Sequence, residues 1–407
     1  MKWNVKRIVM HTLLILSLLT TGTYMVPVKA ASVGMLNDET EIKEVIQQYY
    51  TLRYEELQTL TPVDYSGLVD EKNAVAINWQ KIEKDRFDVQ YKIAKTFEDY
   101  ILEASFSLNY LSIDISGNAA VVNLIENNEM VYSSNPKDPS KMGGLQHKIT
   151  LVRAGNGWVI QNDHYIDDLT FVLNQLSMSE IFQNIETNHK TIMNNEKETV
   201  SPSISSTDLQ NSDEILTWHR YSYFAAVNYS NRYYNAAGNI PVTVPKISGW
   251  NASWPMQYKV YSSDCANFVS QAIYQGARYT NSDGKVFYPD AENYDSGWYY
   301  KFSYPVDGSS PWINVGGLYT YLLRDHSDDT TRGPAGSEVG ICDARLKKGN
   351  PILMKLGDAW AHVGIVATNT ADCNITVNAH STNYYHKPIS YYSAYTWYPV
   401  NISGYYR

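Results

Sequence analysis

The chain predicts an α+β protein built in two parts. Three observations carry that reading. Apolar residues recur at helical spacing from Ile42 to Leu57 and are followed by strand–turn–strand patterns. A polar stretch then separates this half from one rich in aromatic residues. In that second half a cysteine opens a predicted helix, and histidines sit on two predicted strands downstream.

The N-terminus reads as a processing signal. Lys2, Lys6 and Arg7 precede an apolar run from Leu13 to Leu19, and Val28-Lys29-Ala30 offers a small-residue cleavage site. The run is short for a membrane anchor and is interrupted by Thr and Gly. Secretion is expected, with Ala31 as the first mature residue. No cysteine for lipid attachment follows the run. Removing residues 1–30 takes away four positive charges and no acids, so the net charge goes from −9 to −13. Nucleic acid and anionic membrane surfaces both demand clustered Lys and Arg, and this balance argues against them. An acidic wall enzyme that holds its target by shape and aromatic contact stays open.

Residues 38–186 read as one α+β domain. Ile42, Val45, Ile46, Tyr49, Tyr50 and Leu57 form the helical stripe, with Asp38 and Thr40 as caps. Leu111–Ile115 turns through Ser116-Gly117-Asn118 into Ala120–Leu124, and Ile149–Arg153 turns through Gly155-Asn156-Gly157 into Trp158–Ile160. A long helix followed by antiparallel strands resembles the cone-shaped fold of the nuclear-transport-factor-like superfamily. Asp163-His164 with Asp167-Asp168 is the one polar cluster here, and it reads as a solvated turn. The expected role is targeting or spacing. Residues 187–212 read as a flexible linker, because they offer few groups to bury.

The remaining residues, 214–407, hold 24 of the 34 tyrosines. Such rings suit glycan or peptide contact, and equally suit filling a large sheet. Three cysteines leave at least one unpaired outside the cell. Cys342 with Cys373 is one pairing, which leaves Cys265 free.

Phe268, Val269, Ala272 and Ile273 form a stripe at helical spacing, and Gly276 is a stop, so the helix starts near Ser262–Asp264. Cys265 falls in its first turn, where unpaired N–H groups favour thiolate over thiol. Asp264 reads as the N-cap, or alternatively as a binder of a substrate ammonium group. A nucleophile needs a base and an orienting partner. His362 opens the apolar run Val363–Val366. Asn378 and His380 share a face of the next strand, so either is placed to orient His362, with Asn383 as a further choice.

Residues 214–400 resemble the putative amidase domain family, a relative of NlpC-type and CHAP-type papain-like cysteine hydrolases. Tyr221–Tyr229, Asp264-Cys265-Ala266-Asn267-Phe268-Val269-Ser270-Gln271, His362–Val366 and His380-Ser381-Thr382-Asn383 carry the resemblance. It implies Cys265 as nucleophile, His362 as base and His380 as third residue. One departure is Gly349-Asn350-Pro351, where the family usually has Gly-Asp.

The expected reaction is thiolate attack on an amide carbonyl, with a thioester intermediate. Gln257 and Asn267 are the side-chain candidates for holding the oxyanion. Neither cofactor nor metal is expected, since His380, His386 and Asp372 lack zinc-protease spacing. The expected substrate is an amide in peptidoglycan. Soluble peptides are the first alternative, and a wall-binding or spore-coat module without turnover is the second.

Overall fold

The structure, a computed structural model, describes residues 30–155, 157–195, 218–235, 258–259, 261–280, 286–287, 297–301, 307–324 and 333–406. The α+β expectation holds, with helices packed on a large antiparallel sheet. No helix among the described residues is long and apolar enough to cross a membrane.

The N-terminal half packs two helices, α1 (Ala30–Thr59) and α2 (Ala74–Phe97), with four antiparallel strands. These are β1 (Ile101–Ser116), β2 (Ala119–Tyr132), β3 (Ser140–Ala154) and β4 (Gly157–His164), in hairpin order. The predicted stripe is the buried one, with Ile42, Ile46, Tyr49 and Tyr50 against Val122, Leu124 and Ile149. Asp38 and Thr40 are not caps, because α1 already runs through them. The Asp38 carboxylate instead accepts from Arg153 and from the Trp158 indole. The start of α2 is set by Asn73, whose side chain accepts from the Val75 amide.

Residues after β4 fold into α3 (Asp168–Gln175) and α4 (Met178–Asn195). Asp167 and Thr170 form a capping box on α3. The expected linker therefore begins too early, since 187–195 continue α4. Asn188 within it looks like linker chemistry but serves docking, as does Asn184 just before it. Asn188 Nδ2 donates to the carbonyls of Ser393 and Tyr395, and Asn184 donates to that of Ala394. The rest of the expected linker lies outside the described residues.

The C-terminal half opens with β5 (Trp218–Arg220), α5 (Tyr223–Tyr233) and α6 (Cys265–Gly276). Two short hairpins follow, β6 (Tyr279–Thr280) with β7 (Val286–Phe287) and β8 (Tyr300–Lys301) with β9 (Asp307–Gly308). Helices α7 (Ser310–Ile313) and α8 (Val315–Leu322) precede the main strands. Those are β10 (Gly333–Glu338), β11 (Pro351–Leu356), β12 (Ala359–Asn369), β13 (Ile375–Ala379), β14 (Asn383–Pro388) and β15 (Thr396–Tyr406).

The two halves share one sheet, in the order β1-β2-β3-β14-β13-β12-β11-β15-β10. Asn383, Tyr384 and Tyr385 pair with Gly143, Met142 and Lys141 across the junction. One face of the C-terminal part carries α5, α6 and α8, with Phe268, Val269, Val363 and Ile365 in a common core. The other face meets α2, α3 and α4, so Ile181, Ile185 and Val89 pack with Ile352, Val366 and Tyr392. The N-terminal half is therefore not a tethered spacer.

Candidate active site

Cys265 is the first residue of α6 and the one free cysteine, and it is buried. Cys342 and Cys373 form the disulfide the sequence allowed. Helix α6 is amphipathic in its sequence but buried along its whole length, between α5, α7, α8 and the sheet. Its N-terminus is thus held firmly at the level of the β13–β14 turn.

Asp264 occupies the N-cap position, yet its side chain caps nothing. Its carboxylate accepts from the Tyr261 amide at 3.3 Å and from Asn267 Nδ2 at 2.9 Å. Its other oxygen lies 2.9 Å from His380 Nδ1. The first-turn N–H groups of α6 therefore keep their partial positive charge free of a carboxylate cap. His380 stacks on Phe268 with the ring centroids 3.8 Å apart, and its Nε2 lies 2.9 Å from the Tyr233 carbonyl oxygen. Each ring nitrogen thus faces an acceptor. Ser381 Oγ accepts from the Asp264 amide, which ties the turn to the helix start.

His362 is elsewhere. Its ring stacks on Tyr392 at 5.3 Å, and Nδ1 is 4.0 Å from Asp168 Oδ1 on α3. Met354, its cross-strand partner, belongs to the core shared with the N-terminal half. Neighbours Val363 and Ile365 pack with Cys265 on the opposite face. The structure therefore brings His380 and Asp264 to the cysteine's helix and leaves His362 across the sheet. No hydrogen bond joins Cys265 Sγ to either histidine among the described residues.

The cause is a one-residue irregularity. Val366 pairs with Val377 but Thr368 pairs with Thr376, so Ala367 is an extra residue on β12. Without it Gly364 would oppose His380 and His362 would face α6, since a one-residue slip flips every side chain. Ala361 is a second extra residue, between His362 and Trp360. Turning the intervening segment over would withdraw Val363 and Ile365 from beneath α6. Each buried aliphatic side chain is worth about 1.5–3 kcal/mol, which holds the observed face.

The other expected residues sort by what their side chains touch. Asn267 is buried rather than exposed, and its amide is engaged at both ends. Nδ2 donates to Asp264 and to the Lys259 carbonyl, while Oδ1 accepts from Trp312 Nε1 at 3.0 Å. It braces Asp264 and has no donor left for an oxyanion. Asn378 ties β13 to α5, donating to Ser230 Oγ and Asn231 Oδ1 and accepting from the His386 amide. Asn383 lines the cleft described next. Gln257 lies outside the described residues.

A cleft of about 460 Å³ opens where the halves meet. Tyr261, Ser262, Asp264, His380 and Ser381 line one side, and Gln146, Lys148 and His164 line the other. The N-terminal wall was not foreseen. Its only sequence signal was the Asp163-His164 and Asp167-Asp168 cluster, and the solvated-turn reading of that cluster fails. Asp163 is buried 2.9 Å from His147 Nδ1 and accepts from Tyr50. Asp167 is buried and bonded to Arg86 at 2.8 Å. Asp168 is buried beside His362, and burial, reinforced by Asp167, pushes its carboxyl well above the usual range.

Lys387 stands near these acids, enclosed by Tyr132, Tyr384 and Tyr391. Burial pulls its ammonium down to about 7 against the opposing pull of Asp168, Asp167 and Asp99. Among the described residues no group of His, Cys, Asp or Glu side chains is arranged to hold a metal ion.

This arrangement offers a buried thiol at an uncapped helix start, and an Asp264–His380 pair that lines the adjoining cleft. No curated protein matches the chain. Residues 220–403 match the model of the putative amidase domain family.

Proposed function

We propose that the protein is an exported cysteine-dependent amidohydrolase whose substrate is an amide bond of peptidoglycan. The observation that carries this is the free Cys265 at the uncapped start of α6, next to the Asp264–His380 pair, in a domain matching an amidase family. Export is supported by the basic start and apolar run of residues 1–30, and by the Cys342–Cys373 disulfide, a bond that persists in oxidising compartments. Peptidoglycan is supported by export and by a cleft lined with polar groups.

In this reading Cys265 Sγ attacks the amide carbonyl carbon. The uncapped N–H groups of the first turn of α6 receive the charge that develops on oxygen. His380 protonates the amine nitrogen as the C–N bond breaks, which leaves a thioester on Cys265. It then takes a proton from water, and the resulting attack releases the acid and returns the thiolate. Asp264 holds the His380 ring throughout. For each proton transfer Nε2 exchanges the Tyr233 carbonyl for the reacting group, consistent with catalytic hydrogen bonds that tighten only with substrate bound.

His380 takes the role that the family resemblance assigned to His362. The test is amine release from purified peptidoglycan by matched variants. Cys265→Ala and His380→Gln are expected to lose about 100-fold or more. His362→Gln, if folded, is expected to retain most activity. Loss in His362→Gln with full activity in His380→Gln would reverse the assignment.

A further inference from the structure

A second cavity lies in the N-terminal half, away from the cleft. It encloses about 510 Å³ between α1, α2 and the 62–69 segment. Tyr49, Tyr65, Trp79 and Phe87 form much of its wall, so its body is aromatic. Trp79 is only 4% exposed.

Its polar groups are unevenly matched. The acids are occupied. Glu83 accepts from the Tyr165 hydroxyl at 2.9 Å and lies 3.9 Å from Arg53 Nη2. At the mouth, Glu56 accepts from the Val63 amide and from the Tyr65 hydroxyl. Arg86, also on the wall, is committed to Asp167 and to Thr170 Oγ1. The donors are not all occupied. Arg53 Nη1, Trp79 Nε1, Gln80 Nε2 and Arg86 Nε are buried without a hydrogen-bond partner, the last 3.4 Å from Glu83 Oε1, and all four residues line the cavity. A buried donor without an acceptor is costly, so several around one cavity mark a place for an acceptor group.

We propose that this cavity binds a small monocarboxylate with an aromatic or short aliphatic body. One free guanidinium edge and two neutral N–H groups match a single negative charge. Glu83 and Glu56 in the same wall oppose a dianion such as phosphate. Arg53 is already oriented, with Nη2 on the Tyr165 hydroxyl at 2.6 Å and the guanidinium 4.9 Å from that ring. Little ordering is left for binding to demand. This site stands independently of the hydrolase reading.

Isothermal titration of the mature protein with phenylacetate, beside the neutral isostere phenylacetamide, tests it. Saturable phenylacetate binding is expected, with the amide at least about tenfold weaker, since a hydrogen bond to a charged group is worth about 1.5–3 kcal/mol. Trp79→Phe keeps the ring and removes one orphan donor, so it should weaken phenylacetate several-fold. Arg53→Gln should abolish binding; if that variant does not fold, Trp79→Phe decides alone. Lys84→Ala on the rim should bind as the parent does. Absence of saturable binding at millimolar phenylacetate, equal affinity for the amide, or parental affinity in Trp79→Phe would each overturn the proposal.

Discussion

Single residues decide the chemistry here by which groups they hold. Asp264 carries the N-cap position by sequence, yet its carboxylate turns to His380 and leaves the helix start uncapped. Sequence spacing identified the position and could not identify the partner, because His380 arrives from 116 residues away. His147 shows the same dependence on distant partners. Its two ring nitrogens each lie 2.9 Å from a carboxylate oxygen, of Asp163 and Glu126. Burial alone would lower its affinity for a proton, but those acids overturn that and raise it to about 9. Because the folded value exceeds the unfolded one, this contribution is complete below about pH 6.5 and is lost as pH rises through 9. The stability gap between parent and His147→Gln should therefore be flat in acid, on the order of 3 kcal/mol, and shrink toward pH 9 in urea titrations. A gap that widened with pH would contradict the pairing.

At the scale of elements, type and order were largely legible and faces were not. Helix α6 was visible because Phe268, Val269, Ala272 and Ile273 keep helical spacing. Strand β12 was visible as an apolar run. Its orientation was hidden because the extra residue, Ala367, looks like any other strand residue. Polar stretch 187–195 misled for the converse reason, since an asparagine that docks onto carbonyls, Asn188, looks the same in sequence as one in a linker.

The Gly349-Asn350 pair, where the family resemblance led one to expect an acid, proves structural. Asn350 is fully buried, donating to the Arg345 carbonyl and Asn401 Oδ1 and accepting from the Ile402 amide. An aspartate would supply acceptors only. Gly349 has φ +86°, and a Cβ there would meet the Tyr223 carbonyl oxygen at 2.5 Å. Gly349→Ala should cost about 2–4 kcal/mol, read as a lowered urea midpoint. An unchanged midpoint would contradict the close approach of α5 to the β11 lead-in.

The whole molecule behaves as one folding unit in this account. The C-terminal sheet continues into the N-terminal one through β14 and β3, and one core draws residues from both halves. A two-part sequence pattern gave no hint of this, because strand pairing across a junction leaves no local signal. Scanning calorimetry should show a single transition, with calorimetric and van't Hoff enthalpies in agreement. Two separated transitions would mean that the shared core does not couple the halves.

In the proposed reaction Cys265 cuts an amide. The decisive measurement is mass spectrometry of purified peptidoglycan after incubation with the protein, beside Cys265→Ala. New fragments bearing a free amine or a released stem peptide, absent with the variant, are the predicted result and identify the bond. A digest unchanged from the untreated wall, or the same fragments from Cys265→Ala, would contradict it.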